Sequence, residues 1–317
     1  MRGSTEMSAR PGAGSISLTR TRTRRSVGEQ AVKVLLAGAA LLSVLTTTGI
    51  VVTLLTESSK FFGEIPAGDF FFGTDWAPLA GGDSTSFGVV PLVWSTLYLT
   101  FIALLVAVPL GLGVGVYLAE YASPRVRKVL KPIVEVLAGV PTIVFGYFAL
   151  TFFTPLLMDV GIDTAIFNGL SGGIILGILV LPTIASVSED ALSAVPQSLR
   201  EGAFGLGAAK WQVVVRVVFP AALSGVVAAL VLGASRAIGE TVVILVASGN
   251  NPNLTFDLTV AHQNMAAFIA NVARSDVSAG SVAYATIFAV GTTLFVMTFA
   301  LNLVAIRFVR RYRQVYE

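Results

Sequence analysis

Apolar residues run in long blocks along this chain. Val34–Leu55 is 22 residues without a charge, Ser84–Ala119 is 36 and Val277–Ile306 is 30. Thr164–Ser188 is also uncharged, Pro132–Met158 carries only Glu135, and Val217–Phe256 carries only Arg236 and Glu240. A helix that crosses a membrane needs about 20 mostly apolar residues. The pattern therefore predicts six spanning helices in an all-α, polytopic membrane protein. It also divides the chain. Residues 1–30, rich in Ser, Thr, Arg and Gly, are expected to be a disordered basic tail, and 31–317 one transmembrane domain. Its three longer connections fall at 56–90, 189–220 and 249–280. The apolar stretch after Lys33 is too long for the core of a signal peptide, and no A-x-A site follows it.

Composition sharpens this reading. Hydrophobic residues are 55% of the 317 and charged residues 12%, against about 25% charged in ordinary globular domains. Mean hydropathy is +0.82. So little charge cannot cover a soluble surface of normal size, which excludes a soluble enzyme, a disordered protein and a secreted disulfide scaffold. There is no cysteine, and His262 is the single histidine. Thiolate chemistry, Cys-based zinc sites, iron–sulfur clusters and a two-histidine zinc helix drop out, and no metal ligand set is expected.

The basic residues set an orientation. Eighteen of the 21 Lys and Arg fall in the N-terminal tail, at Arg125–Lys131, at Arg200, Lys210 and Arg216, and after the last span. Only Lys60 and Arg274 fall on the other side, where nine acidic residues gather. This predicts six spans with both termini cytoplasmic, and it explains the excess of basic charge without nucleic acid. The first outer loop holds Phe61, Phe62, Phe70, Phe71, Phe72 and Trp76. Aromatics beside a span usually form a belt at the headgroup level; a docking surface for a partner is the other reading.

The loop between the fourth and fifth spans carries the most information. It runs Glu201-Gly202-Ala203-Phe204-Gly205-Leu206-Gly207, then nine residues, then Val217-Val218-Phe219-Pro220. Pro196 can start a short helix, Gly205 and Gly207 can turn the chain, and a second helix would begin near Ala208. Such a compact helix–turn–helix lets another protein approach its backbone closely. The pattern resembles the EAA loop of ABC-importer permeases, E-A-A, three residues, G, nine residues, I-x-L-P. Gly202, Val217 and Phe219 are the departures. A second segment, Gly233 to Thr241, resembles the R-A-I-G-E-T signature of phosphate-specific ABC permeases. Phe72–Pro78, Val108–Gly113 and Gly139–Gly146 are similar to the same subfamily, and the long first loop with Met265–Asn271 is similar to its PstC-type subunit.

The resemblance implies the ABC-importer (MetI-like) permease fold in a bacterial plasma membrane. It implies a subunit without an ATPase site or cofactor of its own, ATP-Mg being bound by partners. Those partners would be a PstA-type second permease, two PstB-type ATP-binding subunits and a PstS-type extracytoplasmic phosphate-binding protein. Glu201, Gly202, Ala203, Gly207 and Pro220 would couple to the ATPases. A PstA-type role, another oxyanion as cargo, or an ion-coupled secondary anion transporter are the alternatives. The last predicts an internal repeat across the two halves, and no convincing one is visible.

Arg236 is the residue to explain. An arginine at the centre of a spanning helix costs about 2.5–3.5 kcal/mol or more, so it should face protein or a water-filled path. Glu240 lies four residues on, so the two are expected on the same helical face. The two can then form a structural ion pair. Alternatively Arg236 offers its guanidinium to a passing phosphate while Glu240 holds it between turnovers, with Ser235 and Thr241 as hydroxyl donors and Thr142 a weaker candidate. Glu135, near Lys131, is expected to snorkel or pair at the end of the third span. His262 and Arg274 fall in the last outer loop. Gly111 and Gly115 allow close helix contact. Pro109, Pro141 and Pro182 fall inside spans and either kink them around a path or pack as simple kinks.

Overall fold

The computed structural model describes residues 24–312. The expected basic tail lies outside the described residues as far as residue 23, and the first helix, α1 (Arg24–Glu64), already begins at Arg24. The chain divides into two compact units, Met1–Val52 and Thr53–Glu317. Within the first, α1 has every described side chain from Gly28 to Ile50 exposed. A helix this apolar on all sides has lipid or other spanning helices for surroundings.

In the second unit α1 ends and a short helix α2 (Ala67–Phe72) follows. Strands β1 (Trp76–Ala77) and β2 (Ser86–Phe87) pair antiparallel, with Trp76 opposite Phe87 and Ala77 opposite Ser86. Helix α3 (Val90–Val116) contains Pro109 and runs on through a wider turn, Tyr117–Tyr121. Helix α4 (Pro124–Ala138) precedes α5 (Thr142–Phe148), which continues through Ala149–Phe153 into α6 (Thr154–Asp159). Helix α7 (Gly169–Ser193) carries Pro182. Helices α8 (Gln197–Gly205), α9 (Lys210–Val213) and α10 (Phe219–Ala221) lead to α11 (Leu223–Ile238) and α12 (Val242–Ala247). An irregular segment then leads to α13 (Met265–Ala273) and α14 (Val282–Tyr312).

Five helical stretches among the described residues are long and apolar enough to cross a membrane, and a sixth crossing needs a bent pair. That pair is Lys210–Ala221 with Leu223–Ile238, which meet at 72°. The bend has two local causes: a wide turn at Val214–Val218 and Pro220 directly after it, both of which break the regular hydrogen-bond ladder. The expected span Val217–Phe256 is thus three pieces. Helix α11 stops at Ile238, α12 at Ala247, and residues 248–264 are not helical.

The third span also starts later than its composition suggests, at Thr142 and not at Pro132. Pro141 caps α5 from outside instead of kinking a helix. Residues 132–138 belong to α4, which has no buried residue. Val126, Val129, Ile133 and Val136 of α4 are exposed, while Arg127 and Lys131 one turn apart reach inward to α7. This helix is held by its charged face and turns its apolar face away from the bundle, the reverse of a soluble helix. Glu135 is exposed and takes part in none of the ion pairs among the described residues, because Lys131 binds Glu189 at 2.5 Å and Asp190 at 3.1 Å.

The centre of the bundle is the α3–α7 crossing. A Cβ at Gly177 of α7 would lie 2.7 Å from the carbonyl oxygen of Ala103, and one at Gly111 of α3 would lie 3.0 Å from Ile184. Glycines let the two backbones touch, which is how spanning helices bind where no hydrophobic effect separates protein from lipid. Leu99, Ala103, Ala107, Ile175, Leu179 and Ile184 fill this core. At one end, aromatics from the first loop form a second core. Phe61, Phe70 and Trp76 are buried, with edge-on ring contacts from Phe70 to Phe61 at 5.4 Å and from Trp76 to Phe268 at 4.9 Å. Three of the six aromatics thus anchor the loop and form no belt, whereas Phe72 is 83% exposed.

Candidate functional site

Two regions gather the residues that the sequence singles out. The first is the break after α11. Gly233 of α11 sits so close to α7 that an added Cβ would meet Ile184 at 2.7 Å. The resulting approach brings Arg236, in the last turn of α11, against Thr183 of α7. Arg236 Nη1 donates to Thr183 Oγ1 at 2.9 Å, and both residues are half-buried. Ser235 donates to Asn302 Oδ1 of α14 at 3.2 Å.

Glu240 does not meet Arg236. Gly239 ends α11, so the i, i+4 relation that would pair them does not exist. The Glu240 carboxylate turns forward instead. Its Oε1 accepts from the N–H groups of Val242 at 3.0 Å and Val243 at 3.3 Å. These are unpaired first-turn amides of α12, a favourable seat for a negative charge. None of the ion pairs among the described residues involves Arg236 or Glu240. The Glu240 carbonyl accepts from Asn264 Nδ2 at 2.9 Å, and Asn264 Oδ1 accepts from Ala267 N at 2.8 Å, capping α13. Thr241 donates to Gly239 O at 3.3 Å. The break is therefore a bonded polar joint between α11, α12 and α13. Thr183 and Asn264 were not foreseen; a threonine beside an in-span proline was the available signal.

His262, which the sequence places in the last outer loop with a solvated or docking role, is fully buried. Its Nε2 lies 2.9 Å from the carbonyl oxygen of Asp257 and its Nδ1 3.4 Å from Ser95 Oγ. A carbonyl only accepts, so Nε2 carries the proton and Nδ1 accepts from the serine. Burial pushes the imidazole pKa down, against the smaller opposing pull of Asp257. The ring pins residues 257–262 to α3 and to the start of α7. Arg274, the residue directly after α13, is exposed.

The second region is the loop between α7 and α11. Pro196 caps α8, Gly207 takes φ of +82°, and Ala209 caps α9, its N–H donating to Gln212 Oε1 at 2.9 Å. Only glycine adopts the Gly207 conformation without strain. Glu201, Gly202 and Gly207 are exposed, Ala203 is half-buried, and Pro220 lies past α9 at the bend into α11. The tip adds an apolar edge the motif does not mention: Leu206 is 91% exposed and Trp211 55%.

This loop is fastened to the spanning helices. Arg200 of α8 donates to Glu120 Oε1 at 2.8 Å through Nη2, to the Leu192 carbonyl at 2.8 Å, and to the Val195 carbonyl. The pair is nearly buried. Glu189 of α7, fully buried, accepts from Arg127 and Lys131 of α4. The Lys131 pKa is raised, chiefly by its hydrogen bond to Glu189 and against some loss from burial. Helix α8 is therefore tied to the extension of α3 by an ion pair and to the end of α7 by bonds to backbone carbonyls, and α4 is locked to the same end.

An exposed helix–turn–helix is thus tied to helices long and apolar enough to span a membrane. The chain belongs to the family of binding-protein-dependent transport system inner membrane components, whose pattern matches residues 111–314. It is a multi-pass membrane protein. It is 31% identical to the probable ABC transporter permease protein YqgH of Bacillus subtilis, over 94% of this chain and 96% of that one. It is 33% identical to the phosphate transport system permease protein PstC of Haemophilus influenzae, over 82% of this chain and 86% of that one. A bacterial alginate ABC transporter structure shares its fold, with a TM-score of 0.63 at 17% identity, covering 92% of this chain and 99% of that one.

Proposed function

We propose that this chain is the PstC-type transmembrane subunit of an ATP-driven importer of inorganic phosphate. It forms the path with a PstA-type subunit, takes phosphate from a PstS-type binding protein outside, and has both termini in the cytoplasm. The α8–α9 loop, with Glu201, Gly202, Ala203, Gly207 and Pro220 as its framework, docks on PstB-type subunits that bind and hydrolyse ATP, so this chain needs no nucleotide site. The residues of 31–317 act as one permease domain.

One observation carries the reading of the path: Arg236 lies half-buried among apolar helices, and none of the ion pairs among the described residues gives it a carboxylate. Such a charge is costly inside a membrane and is compensated when an anion passes. The guanidinium offers a planar set of donors suited to phosphate oxygens. Glu240, Ser235 and Thr241 shape its surroundings, Glu240 by capping α12 and holding the joint. When the ATPases close, the loops move α3 and α7 through Arg200 and Glu120, and the path changes the side to which it opens.

The test is uptake of radiolabelled phosphate into proteoliposomes holding the complex. Phosphate-loaded binding protein is placed outside, and ATP or a non-hydrolysable analogue inside. Uptake that needs hydrolysis and is lost in Arg236→Gln supports both parts. ATP-dependent uptake that survives the substitution removes Arg236 from the path. Phosphate uptake by this chain alone, without ATP, overturns the importer reading.

A further inference from the structure

We propose that Thr183 is a second anion ligand on the path, one that accepts from Arg236 and donates to the same tetrahedral oxyanion. The inference rests on the reading of Arg236 above and adds a residue to it. The spanning threonines Thr96, Thr100, Thr151, Thr293 and Thr298 all donate their hydroxyl to the carbonyl four residues back. That internal bond is the usual fate of a threonine in an apolar helix. Thr183 differs. Among the described residues its only hydrogen bond is the one it accepts from Arg236 Nη1. With a lone pair engaged by the guanidinium, the hydroxyl proton remains for another acceptor.

The surroundings supply none. A guanidinium has five N–H donors, and Arg236 uses one of them within the described residues. The other N–H groups and the Thr183 O–H form a set with donors only and no ionised acceptor paired to it. That set fits the oxygens of a tetrahedral oxyanion. Placement comes from the backbone. Gly233 holds α11 against Ile184 and Val180 of α7, and Pro182, directly before Thr183, removes one backbone donor from α7 and loosens that turn. The Thr183 hydroxyl also holds Arg236 Nη1, and the aim of the guanidinium depends on that bond.

The experiment uses the complete complex in proteoliposomes, with radiolabelled inorganic phosphate supplied on its binding protein at saturation. Thr183→Val keeps the shape and removes the hydroxyl. Thr183→Ser keeps the hydroxyl, and Thr183→Ala removes it without any added bulk. The expected result is a fall in uptake rate of about tenfold or more for Val and for Ala, from one lost hydrogen bond to a charged group, with Ser within about twofold of the parent. In an Arg236→Gln background, Thr183→Val adds little to the loss, because the two residues act as one unit. Parental uptake in both Val and Ala overturns the inference, as does a Ser variant as impaired as Val with effects that multiply in the double variant; that pattern is packing. Parental uptake in Arg236→Gln overturns the reading of the path itself and this inference with it. Loss in Arg236→Gln beside parental uptake in Thr183→Val overturns this inference alone.

Discussion

Replacing Arg200 with methionine separates coupling from folding. Arg200 binds Glu120 with both side chains about one-tenth exposed, and it also caps the carbonyls of Leu192 and Val195 at the end of α7. Methionine keeps the apolar stem but leaves Glu120 as an uncompensated, nearly buried charge. Breaking such a pair from one side costs about 3–5 kcal/mol. The site lies at the end of the bundle, where water reaches part of it, so the lower half of that range applies. At about 2.1 cal/mol/K of unfolding entropy per residue, 1 kcal/mol shifts the melting midpoint of a 317-residue chain by about 1.5 °C. Arg200→Met should therefore lower the midpoint of the purified chain in detergent by about 4–6 °C. Glu120→Gln should cost less, and the double variant should be milder than the sum, because the stranded charge is gone. In proteoliposomes the double variant should hydrolyse ATP with little phosphate uptake, since the loop has lost its hold on α3 and α7. A midpoint shift below about 2 °C for Arg200→Met, or strict additivity with Glu120→Gln, would falsify the strut.

Three further outcomes are expected. Leu206→Glu, at a residue 91% exposed, should leave the melting midpoint within about 1 °C, as surface substitutions do, while the ATP-binding subunits no longer co-purify; retention of them would place the docking surface elsewhere. Gly177→Val should cost about 1–3 kcal/mol through overpacking, because the new side chain meets Ala103 O and Val106. Gly113→Val, with nothing within 4 Å of its Cβ, should be tolerated, and equal melting curves for the two would refute the account of the α3–α7 contact. His262 has its pKa lowered by burial, so the unfolded chain binds its proton at higher pH than the folded one. The stability from the neutral ring is full above the ordinary histidine value of about 6.5 and is lost as pH falls below it; melting followed from pH 7.5 to 5 should decline in the parent and flatten in His262→Gln.

What could be read from the sequence divides along a physical line. Patterns that depend on composition or on turn chemistry are local, and they were legible. Four of the apolar blocks became helices long and apolar enough to cross, and Pro196, Gly207 and the small residues around them made the helix–turn–helix that the spacing E…G…P describes. Gly111 and Gly115 did mark a close helix contact. Patterns that assume an unbroken helix were not safe. The Arg236–Glu240 pair requires continuity through Gly239, and the chain stops its helix there because the carboxylate gains two amides of α12 by doing so. Residues 132–138 are apolar enough to join a span, yet Arg127 and Lys131 upstream hold their helix to Glu189 on α7. Glu189 directly follows the uncharged block Thr164–Ser188, and nothing beside it in the chain names its partners. Its pairing with residues about sixty positions earlier has no local signature, and the same holds for Arg200 with Glu120 and for Arg236 with Thr183. In each case a charge in or beside the membrane finds its partner on a different helix. A charged residue at the edge of a span is thus better read as one half of an interhelical contact than as a neighbour of whatever lies four residues away.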